Sequence, residues 1–275
     1  MVLPSHGLAS ALDLQPGEMV AFTGAGGKTT AAWRVMGELA RAGERAIFTT
    51  TTRIFKPTAD DVRLVLDPDP SGARMRRTME RTRFAVLAAG LGARGDPEQA
   101  GRSPYPAEAV KLVGLSPAVL NRLFREVPSV TWLVEADGAR GRLLKAPAAH
   151  EPVIPSRAGR VIVLAGLEAI GEPVDERTVH RARVASQLLG TDTGVTITPT
   201  MIARLVRHPR GGLKGIPPGA PAVVLLTHWH EAAGGDGEMI AEQLASEGGI
   251  TRVVRVDLSS PDEVYLLRTR SALYR

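Results

Sequence analysis

Residues Phe22-Thr-Gly-Ala-Gly-Gly-Lys-Thr-Thr30 bring glycines, a lysine and two terminal hydroxyls together within one short stretch. Glycines let bare backbone N–H groups curl around an anion. A helix that starts directly after them turns its free N–H groups and its dipole toward the same anion. A lysine at the turn neutralises phosphate oxygens, and the hydroxyl after it reaches Mg²⁺. The stretch therefore predicts a phosphate-binding loop, with Gly24, Ala25, Gly26, Gly27, Lys28, Thr29 and Thr30 on the nucleotide. The common G-x-x-x-x-G-K-[ST] spacing would require a glycine where this chain has Phe22, so the loop is a shortened G-x-x-G-K-T-T form. The plain alternative is a glycine-rich strand-to-helix turn with no ligand.

Glu135 and Asp137 close an apolar run, Leu133-Val-Glu135-Ala-Asp137-Gly138. Carboxylates at a strand end are costly unless something pairs with them. Mg²⁺ suits the place, because it takes one or two carboxylates plus phosphate oxygens. Orienting an attacking water is a second role for either carboxylate, and a solvated Asp-Gly turn is the plain one. Thr49-Thr50-Thr51-Thr52 ends another strand, where Thr hydroxyls can hold Mg²⁺ or sense a γ-phosphate; β-branched residues also occur there for strand propensity alone. Arg140 and Lys145 can meet phosphate or an anionic substrate, and His150 and Glu151 can bind substrate or move protons. The catalytic candidates are thus Lys28, Glu135, Asp137, Lys145 and His150. The Mg²⁺ candidates are Thr29, Thr49, Glu135 and Asp137, and Arg140 joins the nucleotide side. In Thr227-His-Trp-His230 the two histidines alternate, but two are too few for a zinc site. In several nucleotide-binding folds this strand end contacts the base, which makes Trp229 a candidate to stack on a purine.

These residues need elements to position them. Glu18–Thr23 reads as a buried strand, Thr29–Ala42 as a helix with Gly43 as its stop, and Ala46–Thr51 as the next strand. Further apolar runs lie at 62–66, 84–88, 130–134, 161–164, 222–226 and 253–256. Helical patterns lie at 117–126, 177–189, 200–206 and 237–246. Continuous apolar strands alternating with helices predict an α/β, P-loop NTPase-like fold, with a mainly parallel sheet and helices on both faces. Ser260-Pro-Asp-Glu263 carries a helix-start signature. Residues 90–106 and 208–221, rich in Gly and Pro, read as loops. No linker or repeat divides the chain, so residues 1–275 are expected to form a single domain with elaborated loops.

The composition narrows the function classes. The chain has 275 residues, 44% hydrophobic and 23% charged, with a formal net charge of +5. Its densest basic run, Arg74 to Arg83, has helical spacing without interleaved aromatics and reads as a solvated helix face. With no aromatic stacking platform, nucleic acid is not an expected partner. No cysteine is present, which excludes disulfides, thiolate metal sites and cysteine nucleophiles. No apolar run reaches the ~20 residues of a membrane span, and residues 1–15 have no signal-peptide pattern. A cytoplasmic protein is expected.

The shortened loop is similar to that of Mur-type amide ligases and folylpolyglutamate synthases, although no room is evident for their extra substrate domains. A wider resemblance rests on an ordered set: Gly24-Ala-Gly-Gly-Lys-Thr-Thr30, Thr49–Thr52, Glu135-Ala-Asp-Gly-Ala139, Lys145-Ala-Pro147, His150-Glu-Pro152, Val179-His-Arg181 and Gly212-Leu-Lys-Gly215. Together, over roughly residues 17–230, these resemble the YqeC-type proteins, regarded as accessory factors of selenium-dependent molybdenum hydroxylases. The resemblance implies a P-loop nucleotide-binding protein in the maturation of those enzymes. A molybdenum hydroxylase or its cofactor-synthesis proteins would then be partners. It also adds weight to Lys145, His150, Glu151, His180, Arg181 and Lys214. A guanine-reading Asn-Lys/Gln-x-Asp-like segment is replaced by Thr227-His-Trp-His230, which favours ATP over GTP. An Mg²⁺-dependent ATPase or phosphoryl transferase is the leading expectation. A nucleotide-gated binding or chaperone protein with little hydrolysis of its own is the alternative.

Overall fold

The computed structural model describes residues 3–4, 7–57, 62–94, 109–228, 235–245, 248–260 and 263–269. The first half contains β1 (Leu3–Pro4), α1 (Leu8–Ala11), β2 (Met19–Gly24), α2 (Lys28–Arg41), β3 (Ala46–Thr50), β4 (Arg53–Phe55), β5 (Arg63–Leu66), α3 (Gly72–Arg81), β6 (Phe84–Ala88), β7 (Gly90–Arg94), β8 (Val110–Val113), α4 (Pro117–Glu126) and β9 (Thr131–Glu135). The second half contains β10 (Leu144–Lys145), β11 (Arg160–Gly166), β12 (Val179–His180), α5 (Ala182–Leu189), α6 (Pro199–Arg207), β13 (Ala222–Thr227), α7 (Asp236–Leu244), β14 (Ile250–Val256) and β15 (Val264–Thr269).

Ten strands form the main sheet in the order β1-β15-β14-β13-β11-β2-β9-β3-β6-β5. From β14 to β5 every neighbour is parallel. β15 and β1 add an antiparallel edge. Strands β3, β9, β11 and β13 are buried along their whole length. That is why they read as unbroken apolar runs instead of alternating ones.

The sheet separates two cores. On one face Val20, Phe22, Phe48 and Leu133 pack with Ala31, Ala32 and Val35 of α2 and Leu8 of α1. On the other face Met19, Ile47, Trp132 and Val134 pack with residues of α3 to α7, among them Met75, Leu120, Ala185, Ile202 and Ile240. The molecule is therefore an α/β protein with a mainly parallel sheet and helices on both faces, consistent with a P-loop NTPase-like fold. Ser71, Ser116 and Thr198 accept hydrogen bonds from the backbone N–H groups of Arg74, Val119 and Met201 and so start α3, α4 and α6. In α3 Met75 and Met79 are buried while Arg74, Arg76 and Arg77 are exposed, as the solvated-face reading expects. No helix among the described residues is long and apolar enough to cross a membrane.

Three expectations need correction. The helix expected from residue 177 starts at Ala182, because Val179–His180 forms β12 beside β10. Glu176 Oε1 accepts the Ala182 N–H at 2.9 Å and fixes that start. The loop expected from residue 90 opens as β7, which joins β8 and β4 in a separate antiparallel three-stranded sheet; residues 95–106 lie outside the described ones. Residues 261–262 of the expected helix start also lie outside, and Val264–Thr269 after them is a strand paired with β14.

Candidate functional site

The glycine turn sits where β2, in the middle of the sheet, hands over to α2. Gly24, Gly26 and Gly27 take positive φ angles of 86°, 90° and 100°. At Gly24 an added Cβ would stand 2.3 Å from the Leu164 carbonyl oxygen, and at Gly26 2.7 Å from Thr227 Oγ1 and 2.8 Å from the Gly166 nitrogen. Both positions therefore require glycine by conformation and by space. The neighbours hold the turn: Ala25 N–H donates to Leu164 O, Gly26 N–H to Arg142 O, and Thr227 Oγ1 to Gly26 O at 2.5 Å.

Lys28 opens α2 and is almost fully buried. Its ammonium donates to Gly24 O at 2.6 Å and pairs with Asp137 Oδ1 at 3.2 Å. Asp137 follows β9 and is a hub. Its Oδ2 accepts the Gly24 N–H at 3.1 Å and lies 3.2 Å from Lys145 Nζ. Lys145, on β10, also reaches Gly138 O at 2.5 Å and Glu151 Oε2 at 3.0 Å. Arg181 Nη1 donates to the same Glu151 oxygen at 2.6 Å. A chain of charges thus runs Lys28–Asp137–Lys145–Glu151–Arg181.

Glu135, at the end of β9, belongs to a different contact. Thr29 Oγ1 donates to its Oε2 at 2.7 Å. Burial raises the pKa of Glu135, while the Lys28 charge and the Thr29 hydroxyl work against that rise. Thr29 and Glu135 face one cleft of about 700 Å³. Its other walls come from Gly26–Thr30, Thr51–Phe55, Lys111, Val113, Gly114, Gly138–Leu143, Glu151 and His228. A hydroxyl and one carboxylate beside this glycine turn are a donor set that fits Mg²⁺, which keeps several waters and takes one or two carboxylates. Asp137 is spoken for by two lysines and a backbone N–H, so of the two carboxylates Glu135 is the one turned to the cleft. Among the described residues no group of three or more His, Asp or Glu side chains converges as a metal cage.

The sequence-predicted residues are placed as follows. Gly26, Gly27, Lys28, Thr29, Thr30, Glu135 and Arg140 line the cleft together; Gly24 and Ala25 form the turn beneath it. Lys145 does not line the cleft, and its side chain is 1% exposed behind Asp137. Thr49 is not brought to the site. It shares the sheet face of Ile47, opposite the α2 face of Phe48, and its buried Oγ1 has no hydrogen-bond partner among the described residues. Thr50 takes the α2 side instead and donates to Glu135 O at 2.8 Å. His150 is exposed and outside the cleft lining, with no hydrogen bond or ion pair to a described residue. The turn that folds Glu151 inward, with Glu151 N–H on Ala148 O and Ala148 N–H on Glu151 Oε2, leaves His150 on the outside. Lys214 clamps that turn through Ala148 O and Ala149 O. His180 is half-buried, and burial together with the Arg181 and Lys145 charges lowers its pKa to about 4. His228 lines the cleft near Gly27, with Nδ1 3.7 Å from Glu168 Oε2; Trp229 and His230 lie outside the described residues.

Sequence reasoning missed Thr227 as a brace of the loop and the β4–β8 wall as part of the cleft. A buried Thr ending an apolar strand gives no signal of its own. The wall strands are three and four residues long, too short for a visible alternation.

The comparisons agree with the ordered motifs. A family profile described as YqeC protein matches residues 20–183, more than half the chain. The chain is also similar to a protein of Escherichia coli strain K12 described as "Uncharacterized protein YqeC". The two are 29% identical over 213 residues, covering 78% of this chain and 77% of that one. The matched span carries the glycine turn, Glu135, Asp137, Lys145, Glu151 and Arg181, and this chain belongs to the YqeC family.

Proposed function

We propose that this chain binds a nucleoside triphosphate with Mg²⁺ and works as an ATPase or phosphoryl transferase. One observation carries the reading. A turn of three glycines with positive φ leads from a central strand into a helix whose first two residues are Lys28 and Thr29, with Thr29 bonded to Glu135. In this reading the backbone N–H groups that open α2, from Gly27 to Thr30, and the Lys28 ammonium hold the β- and γ-phosphates. Thr29 and Glu135 hold Mg²⁺, which neutralises charge on the transferred group. Asp137 sets the resting position of Lys28, and Arg140 reaches the phosphates or the acceptor. ATP is favoured over GTP because a guanine-reading segment is missing after β13. The resemblance to proteins regarded as accessory factors of molybdenum hydroxylases supports a role in maturing those enzymes.

A second reading has its own support. Lys28 is held by Gly24 O and Asp137, so a phosphate must compete for it. That suits a nucleotide-gated binding protein whose hydrolysis waits for a partner. Calorimetric titration with Mg–ATP and Mg–GTP tests the common core of both readings. Wild-type protein is expected to bind Mg–ATP, and Lys28→Ala to lose at least about tenfold in affinity, the worth of one charge-assisted phosphate contact. Equal binding by Lys28→Ala would remove Lys28 from the site, and no binding of either nucleotide by wild type would overturn the proposal. A turnover rate at background beside tight binding would select the gated reading.

A further inference from the structure

The three-stranded sheet is fixed to the site and presents it with an unusual face. β3 runs into β4 through Thr51 and Thr52, and β8 returns to the same point. Gly114 N–H donates to Thr52 O at 2.7 Å and Leu115 N–H to Thr50 O at 2.9 Å. The approach is so close that a Cβ at Gly114 would stand 2.6 Å from three backbone atoms of Thr50–Thr52. The wall therefore stands in a set position relative to the strand end that also touches Glu135.

Its two faces differ. Ile54 pairs with Leu112, and both are buried in the α2-side core. The alternate pairs, Arg53 with Val113 and Phe55 with Lys111, all line the cleft. Lys111 Nζ lies 5.0 Å from the Phe55 ring centroid. Cations and apolar groups thus alternate on one small surface. Of the cations that line the cleft, Lys28 is held by Asp137 and Arg142 by the Glu176 and Arg140 carbonyls; Arg53, Lys111 and Arg140 line it too, with Glu135 and Glu151 as its carboxylates. Glu135 is engaged by Thr29, and Glu151 by Lys145 and Arg181. Arg53 and Arg140 have no carboxylate partner among the described residues.

We propose that the β4–β8 wall binds a second small molecule beside the nucleotide, an organic phosphate monoester. Arg53 and Lys111 hold its phosphate, and Phe55 and Val113 contact its carbon body. The proposal rests on the nucleotide reading for the word "second". Guanidinium groups match phosphate oxygens in a fixed fork.

The test uses the full chain and phenyl phosphate as probe, titrated calorimetrically with and without saturating Mg²⁺ and the β,γ-imido analogue of ATP. Analogue-loaded wild type is expected to take up phenyl phosphate. The Arg53→Ala, Lys111→Ala double variant is expected to bind it at least about tenfold more weakly, with affinity for the analogue within about twofold of wild type. Arg53→Glu, a surface change that leaves the apolar contacts in place, is expected to abolish uptake. No uptake by analogue-loaded wild type overturns the proposal, as does uptake indifferent to these variants. Equal loss of analogue and phenyl phosphate in the double variant assigns the wall to the nucleotide and also overturns it. If wild type binds no analogue, the nucleotide reading fails. Lys28→Ala protein then reads the wall alone: phenyl phosphate uptake lost on adding Arg53→Ala keeps the wall site, and absence of uptake ends it.

Discussion

Lys145 is buried between Asp137 and Glu151, where it positions both carboxylates. Burial pulls its pKa down, Asp137 pushes it back up, and the nearby Lys28 adds to the pull, so the net shift is downward. Glu151 moves down too, which a simple pair would not do to both partners. Burial alone would raise Glu151, but Lys145, Arg181 and the Ala148 N–H outweigh it and leave the carboxyl at about 2. The difference lies in the neighbours: Lys145 has a second lysine beside it, while Glu151 has Arg181 as well as the Lys145 it shares with Asp137. Both Glu151 and His180 then make the fold sensitive to acid. A carboxyl at about 2 against 4.5 unfolded contributes stability that is complete above 4.5 and is lost as pH falls toward 2. An imidazole at about 4 against 6.5 unfolded binds its proton less readily when folded, so its share is lost between 6.5 and 4. The urea midpoint is expected to fall in two arms on acidification. His180→Gln should flatten the upper arm. Glu151→Gln should start lower, because Lys145 loses a buried partner, and flatten the lower arm. An upper arm of wild-type slope in His180→Gln would remove His180 from this account.

The strand-to-helix turn is the element on which the site depends, and its glycines are not equivalent. Gly24 has φ 86°, and its added methyl would meet the Leu164 carbonyl, which already accepts the Ala25 N–H. Neither backbone can give way without opening the β2–β11 pairing. Gly138, on the rim of the same cleft, has open space where a Cβ would go. Gly24→Ala is therefore expected to lose at least about 2 kcal/mol of stability, and Gly138→Ala to stay within about 0.5 kcal/mol of wild type. Equilibrium denaturation of both variants checks the contrast, and equal stability would show that the turn adapts. The same element explains what sequence could reveal. Strands buried on both faces and helices opened by Ser116-Pro117 or Thr198-Pro199 announce themselves through composition and caps. The choice between Thr49 and Thr50 does not, since it depends on which sheet face α2 covers. His150 against Glu151 was hidden for a similar reason: one turn decides which of two adjacent polar residues faces inward. The β4–β8 wall was invisible because its strands are short and pair across more than fifty residues of chain.

At the scale of the whole molecule, the glycine turn is completed by residues far beyond the span the family profile matches. Thr227, at the end of β13, is fully buried and donates to Gly26 O. Leu258, past β14, lies where a Cβ on Gly27 would go, 2.7 Å away. Arg34 of α2 donates to Asp257 O at 2.9 Å and Ser260 O at 2.7 Å, tying the helix that follows the loop to the segment after β14. The second half of the sheet thus fixes a site whose recognisable residues lie in the first half. Thr227→Val keeps the shape and removes only the hydroxyl, leaving Gly26 O without that donor. A buried acceptor stripped of its partner costs about 1–3 kcal/mol. The variant is expected to lose stability in that range, seen as a lower urea midpoint, and to bind Mg–ATP more weakly than wild type because the Gly26–Gly27 backbone is freed to move. Lower stability with unchanged nucleotide affinity would confine Thr227 to the fold. Loss of both would show that β13, outside the motif, holds the loop in the shape that a phosphate needs.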